Sequence, residues 1–353
     1  MTRTRRFSFG LLAALLFFGL AEAGLRLAGF RFDTQPRYMQ FGYPDARDLA
    51  EVFQPDPALL WRLHPGELYA PDHIPVSQQG FRGFGFEPVK TAGTFRIIAL
   101  GDSCTFFGRL TSWPERLAKK FGDADPGRAF EAINLAVPGY SSWQGRRLLE
   151  TEGLALDPDL ALIYFGWNDH WLHFGAPDRL QRLPRSRLVQ ARSLLARFRL
   201  FQLTSWAVAK ARAAARSEAP AGAGEGCPAC RVPLPEFRDN LRAMIALSRE
   251  HGAEPVLITA PSGARRGEEA AAFLLESGMA PDGDWVLARH REYAEAVREI
   301  ATEEKVILVD AAAEFERPGD AGLFWSDNIH LTEPGLDRLT ELVFQACRDR
   351  LQP

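Results

Sequence analysis

Arg96-Ile97-Ile98-Ala99-Leu100-Gly101-Asp102-Ser103 is the stretch on which the fold reading turns. Its unbroken apolar run is what a strand buried on both faces requires, and Gly-Asp-Ser ends it with turn-forming residues. Ser103 therefore sits where a buried strand stops and a loop opens, the usual place for chemistry in an open α/β sheet. Further β-type runs occupy 130–135, 160–165, 255–260 and 305–310, and helical patterns occupy 112–121, 141–153, 235–251, 287–304 and 333–350. Alternation at this spacing implies right-handed crossovers and a parallel sheet covered on both faces, an α/β three-layer sandwich.

The last of these helices follows closely on His330, with Thr332 as its predicted cap and Pro334 in the first turn, where a missing N–H is harmless. Leu336, Leu339, Val343 and Cys347 form its core-facing stripe, which makes Cys347 a buried apolar residue.

Three more short blocks follow Ser103 in order: Gly139, Gly166-Trp167-Asn168-Asp169 and Asp327-Asn328-Ile329-His330. Singly, each has an ordinary structural reading as a turn, a helix cap or Asx turn, or a surface histidine. Jointly they hold the groups that acyl chemistry needs. A serine hydroxyl is a weak nucleophile at neutral pH, so a neutral imidazole has to accept its proton, and Asp327, three positions from His330, can orient that ring. Asp102 and Asp169 read as carboxylates that fix their loops by accepting backbone hydrogen bonds. No Gly-x-Ser-x-Gly elbow surrounds Ser103, which argues against an ordinary α/β-hydrolase.

Over roughly residues 95–350 the ordered set of blocks resembles the SGNH hydrolases, also called the GDSL esterase/lipase superfamily. The resemblance implies a flavodoxin-like, five-stranded parallel sheet. It also implies a serine esterase with Ser103 as nucleophile, His330 as base and Asp327 as its orienting partner. Oxyanion donors would be the Ser103 N–H, the Gly139 N–H and the Asn168 amide. The implied substrate is an O-acyl or O-acetyl ester of a carbohydrate or lipid. Two other readings stay open: acyl transfer to cell-surface polysaccharide by the same residues, and a non-catalytic scaffold of the same fold.

With 353 residues, 46% hydrophobic and 25% charged, the composition is that of one main globular domain with additions. A net charge of −3 gives no reason to expect nucleic-acid binding. Neither zinc nor phosphate-loop signatures occur, so no metal or cofactor is expected.

Arg3, Arg5 and Arg6 precede an apolar run from Phe7 to Ala21 in the charged-then-apolar order of an export signal. Ala21-Glu22-Ala23 offers a cleavage site. Continuation of the helical pattern through Leu25, Leu27 and Phe30, with Glu22 and Arg26 spaced to pair, favours an uncleaved anchor in residues 1–30. Either version places the rest of the chain outside a bacterial cytoplasmic membrane, anchored by the N-terminal helix or secreted after cleavage. Residues 31–93, rich in aromatics and proline, are expected to wrap the main domain of 94–353. Within them Val76-Ser77-Gln78-Gln79-Gly80-Phe81-Arg82-Gly83 resembles a lead-in of membrane-anchored bacterial members, and equally fits a turn with a packed Phe81.

Between Asp169 and the strand at 255 the chain is long for a minimal domain, marking a lid or insertion at about 171–235. From Arg179 to Arg216 it carries many arginines and no carboxylate, while Leu188, Ala191, Leu194, Leu195, Phe198 and Phe201 recur at helical spacing. That helix would lie on an anionic surface, grip an acidic polymer or pack on the core. Cys227-Pro228-Ala229-Cys230 lacks the strand-to-helix context of a redox motif and a second pair for zinc, leaving a local disulfide in an exported protein. Cys104 is expected to pack under the loop of Ser103, with a thiol nucleophile as the alternative.

Overall fold

The computed structural model describes residues 3–32, 43–44, 52–69, 73–173, 175–181, 191, 194–215, 226–316 and 322–348. Its central sheet consists of β1 Thr94–Gly101, β2 Ala129–Asn134, β3 Leu160–Tyr164, β4 Glu254–Ile258 and β5 Ile307–Val309. All neighbours are parallel, in the order β2-β1-β3-β4-β5. This is the flavodoxin-like order. Because the chain leaves β1 toward one edge and β3 toward the other, the loops after these two strands part and open a crevice at their C-terminal ends.

The longer helices are α1 Arg3–Leu27, α2 Trp113–Ala124, α3 Ser142–Leu148, α4 Arg199–Ala215, α5 Leu234–Glu250, α6 Gly283–Glu304 and α7 Glu333–Cys347. Alternation along the strands sorts the core into two layers. Ile98, Leu100, Ala161, Ile163 and Leu257 pack with Leu148 of α3, Leu241 and Ile245 of α5 and Val297 of α6. Ile97, Ala99, Leu160, Leu162, Val256 and Ile258 pack with Trp113 and Leu117 of α2 and Leu336, Leu339 and Val343 of α7. Each fully buried aliphatic side chain contributes about 1.5–3 kcal/mol, so a sheet covered on both faces is what these strands demand.

Boundaries differ from expectation for local reasons. Helix α6 begins at Gly283, because Asp282 caps it by accepting from the Trp285 N–H at 2.8 Å. It ends at Lys305 in a left-handed conformation, φ 52°, which takes residues 305 and 306 away from β5. α-Helical bonding in α3 stops at Leu148 and continues as a wider π turn over Leu149–Gly153. Arg96, counted within an apolar run, is fully buried. Its guanidinium donates to Glu131 and to the carbonyls of Glu87, Pro88 and Leu156, so the start of β1 binds the loops ahead of β1 and β3 instead of excluding them.

The N-terminal extension contributes two antiparallel ribbons, Phe53–Asp56 with Leu60–Leu63 and Leu68–Tyr69 with Ile74–Pro75. Phe53, Trp61, Tyr69 and Ile74 join the same core layer as Ile98 and Phe106. The paired strands were not evident from sequence, where prolines and turn residues interrupt any period. In the insertion, residues 182–190 with Leu188 lie outside the described residues. Leu194, Leu195 and Phe198 are all about half exposed, so this part of the arginine-rich stripe does not pack on the core. Helix α4 follows it, and the Glu22 carboxylate of α1 accepts from the Arg199 and Leu200 N–H groups, each at 3.0 Å. Phe9, Leu15, Phe17, Phe18 and Leu20 of α1 are exposed. Among the described residues no helix is long and apolar enough to cross a membrane, so the membrane-spanning expectation for the N-terminus finds no support in them.

Cys227 and Cys230 form a disulfide with Cα atoms 5.3 Å apart, and both are buried. Closing so short a loop limits the entropic gain to about 2 kcal/mol. Replacing both cysteines by serine is expected to lower the melting temperature by about 3 °C, followed by circular dichroism. An unchanged melting temperature would show that the turn is held without the bond.

Candidate active site

Strand β1 ends at Gly101, where a Cβ would come within 2.4 Å of Thr105 Oγ1 and 2.7 Å of its Cβ, so only glycine lets the chain turn here. Asp102 then caps a helical turn, Ser103–Phe106, by accepting from the Cys104 N–H at 2.9 Å. Ser103 thus heads a short helix and is partly exposed at the C-terminal end of β1.

From the far end of the chain, Asp327 folds its own loop. One carboxylate oxygen accepts from the Ile329 and His330 N–H groups at 2.9 and 3.0 Å, and the other lies 2.7 Å from His330 Nδ1. The second imidazole nitrogen, Nε2, lies 2.8 Å from Ser103 Oγ. An ionised carboxylate only accepts, so the proton belongs on Nδ1 and Nε2 is free to accept from the serine. Burial works to raise the pKa of Asp327, but hydrogen bonds from His330 and the backbone outweigh it and hold the group below the usual carboxylate range. The His330 ring rests edge-on against Phe107 at 5.2 Å, and Thr332 caps α7 directly behind it. Packing of α7 on the sheet thereby fixes the histidine loop.

Gly139 adopts φ +83°, a region that L side chains rarely enter. Its glycine identity follows from that conformation. Among the described residues, neither the Ser103 N–H nor the Gly139 N–H has a hydrogen-bond acceptor. Asn168 is placed differently from a free donor. Its Nδ2 donates to Asp102 Oδ2 at 2.9 Å and to the Tyr140 carbonyl at 3.1 Å, so an incoming oxyanion has to share these protons.

Asp102 and Asp169 are buried and serve loops. Asp169 accepts from the Ser142 N–H at 2.8 Å and the Gly166 N–H at 3.1 Å, joining the Gly139 loop to the Gly166 loop. Burial pushes its carboxyl up to about 7, opposed by the bonds from Ser142. Asp102 is likewise raised by burial, opposed by the Cys104 N–H.

Cys104 lies under the loop, 2% exposed, and burial raises its thiol well above the ordinary range, which removes it as a nucleophile. His170 and His290 are both buried, and burial pushes His290 down to about 4. They meet at 3.2 Å, and the His290 ring stacks on Trp167 at 3.9 Å, so they act as neutral packing groups. No group of metal-binding side chains occurs among the described residues.

Sequence reasoning missed one constellation beside the site. Arg231, directly after the disulfide, is fully buried and pairs with fully buried Asp178. Nothing in an arginine-rich chain distinguishes this arginine beforehand.

A model of the GDSL-like Lipase/Acylhydrolase family matches residues 99–338. No curated protein matches the chain. Among solved structures, a lipase/acylhydrolase from Enterococcus faecalis is 19% identical with a TM-score of 0.46, covering 73% of this chain and 98% of its own. The acetylxylan esterase Axe2 from Geobacillus stearothermophilus is 18% identical with a TM-score of 0.44, covering 74% of this chain and 96% of its own. LAE5, an α/β hydrolase from the metagenome of Lake Arreo, Spain, is 16% identical with a TM-score of 0.46, covering 71% of this chain and 94% of its own. With the family model extending over well more than half of its length, and a five-stranded parallel sheet ending in the Gly-Asp-Ser turn, the chain belongs to the GDSL-like lipase/acylhydrolase family of ester hydrolases.

Proposed function

We propose that the protein is a serine esterase in which Ser103 attacks the ester, His330 carries the proton and Asp327 holds the imidazole. The observation that carries this reading is the continuous relay from Asp327 to His330 at 2.7 Å and from His330 to Ser103 at 2.8 Å. As Ser103 Oγ bonds to the carbonyl carbon, its proton passes to His330 Nε2, and the Asp327 carboxylate stabilises the imidazolium. The carbonyl oxygen becomes an oxyanion that accepts from the unengaged N–H groups of Ser103 and Gly139, with Asn168 as the third donor. Each such donor is typically worth about 3–4 kcal/mol of barrier. Collapse breaks the ester bond, and Nε2 returns the proton to the departing alkoxide. Water, deprotonated by the same imidazole, then releases the acid.

The substrate class we propose is an acyl ester, with acetyl groups on carbohydrate foremost. Supporting it, the half-exposed indole of Trp325 belongs to a residue whose N–H donates to the His330 carbonyl, which puts a flat apolar surface in the loop of the base. Location outside the cytoplasmic membrane, with attachment through α1, is part of the same proposal. It is supported by the arginines at 3, 5 and 6 ahead of the apolar run, by the exposed apolar side chains of α1 and by the Cys227–Cys230 bond, which suits an oxidising compartment.

Ser103→Ala is expected to abolish turnover of p-nitrophenyl acetate and labelling by a fluorophosphonate while leaving the melting temperature unchanged. His330→Ala should be comparably severe and Asp327→Asn milder, since such residues act as a unit. Residual turnover by Ser103→Ala at the wild-type rate would refute the nucleophile assignment. For Asn168→Ala, kcat should fall roughly a hundredfold with KM little changed. A change confined to KM would place Asn168 in ground-state binding.

Alkaline phosphatase fused after Pro353 is expected to be active in a bacterial host, and the protein should stay with membranes through a carbonate wash. A soluble mature form starting near Gly24 would keep export but replace the anchor by a cleaved signal. An inactive fusion would refute export.

A further inference from the structure

We infer that the buried Arg231–Asp178 pair is a positioning device for the oxyanion hole, setting both Gly139 and Asn168; the inference rests on the esterase reading above. The guanidinium bridges Asp178, Gly139 and Asn168 at once. Its Nε and Nη2 reach the two Asp178 carboxylate oxygens at 3.1 and 3.0 Å, and Nη2 also donates to the Gly139 carbonyl at 2.8 Å. Its Nη1 lies 3.5 Å from Asn168 Oδ1. Both side chains are fully buried, and the Tyr43 ring lies 4.4 Å beneath the guanidinium.

These contacts fall on the two oxyanion elements that the active-site loops leave adjustable. A glycine at φ +83° has little intrinsic preference for its ψ, and the bond to its carbonyl fixes the orientation of the Gly139 peptide plane relative to the N–H on the other side of the residue. The Asn168 amide satisfies its partners in only one of its two flipped orientations. A cation facing Oδ1 and the Asp102 carboxylate facing Nδ2 at 2.9 Å together keep the NH₂ group turned toward the Tyr140 side. Asp178 extends the same control to the start of α3, because it accepts from Ser141 Oγ at 2.6 Å and from the Tyr43 hydroxyl. Only a planar fork can serve these acceptors together, which a lysine ammonium cannot do. The guanidinium charge is matched by Asp178, so the pair acts through geometry and not as a cation toward the oxyanion.

The test uses the full-length chain and a fluorophosphonate, whose tetrahedral adduct occupies the oxyanion hole. The final extent of labelling counts correctly folded sites, and the rate reports how well each site stabilises the adduct. Two variants are compared with wild type. Arg231→Met with Asp178→Asn removes the pair without leaving a lone buried charge. Arg231→Lys keeps a cation opposite Asp178 and decides the matter should the double variant fail to fold. The expected result is near-complete labelling at a rate about ten- to a hundredfold slower, with kcat for p-nitrophenyl acetate reduced in parallel and KM little changed. Wild-type labelling rates at full extent, a loss of extent with no loss of rate, or an effect confined to KM would each overturn the inference. Absence of labelling in the wild type would instead refute the esterase reading on which it rests.

Discussion

The hydrogen bond between Ser103 and His330 joins residues far apart in the chain, and at 2.8 Å it tolerates little relative movement of the elements that carry them. One partner stands at the end of β1, the other in front of α7. Their separation is therefore set by how α7 packs on the sheet, through Leu336, Leu339 and Val343 against the layer that contains Ile97, Ala99 and Leu162. Burial supplies the rigidity that a short polar contact cannot supply for itself. Local bonds then refine it. Arg116 of α2 pairs with Glu333 and Asp337 of α7, tying the helix behind the serine to the helix behind the histidine.

Two kinds of carboxylate surround this contact and are distinguished by their partners. Asp327 faces an imidazole and two N–H groups, which more than offset its burial, so it stays ionised and can balance a transient imidazolium. Asp102 and Asp169 are more deeply buried and face mostly neutral donors, and burial wins in both. Their bonds to neighbouring N–H groups make them loop fasteners. Identical chemistry in the side chain thus yields a carboxyl held low beside an imidazole in one case and structural ties in the other, with burial and partners deciding between them.

The strand-and-helix alternation was legible because a parallel sheet buried on both faces leaves continuous apolar runs, and the runs at β1, β3 and β4 carry that mark over most of their length. Ser103, Gly139, Asn168, Asp327 and His330 were legible because each sits in a short block with its own turn chemistry. Less readable were features made by distant residues meeting. Arg231 and Asp178 lie in an insertion whose sequence looks solvent-facing, and their burial becomes visible only once the Gly139 loop is placed over them. The ribbon carrying Trp61 was hidden for a related reason: its strands are four residues long and are held by the core they cover, not by a periodic pattern of their own.

That ribbon changes the standing of the N-terminal extension. Trp61 Nε1 donates to the Pro138 carbonyl at 3.3 Å, and the Tyr140 hydroxyl donates back to the Trp61 carbonyl at 2.6 Å. Gln144 Nε2 reaches the Leu59 carbonyl at 3.0 Å while its Oε1 accepts from the Ser141 N–H. Gly139 is therefore clamped from both flanks by residues of the extension, and the Tyr140 carbonyl that receives Asn168 belongs to the same clamped loop. From the other side the insertion brings Arg231 to the Gly139 carbonyl. The catalytic fold alone leaves this glycine in an unusual conformation with few partners; the two segments outside the minimal sheet-and-helix core hold it there. An extension and an insertion that look peripheral in sequence thus converge on one loop, the one whose Gly139 N–H has no acceptor among the described residues.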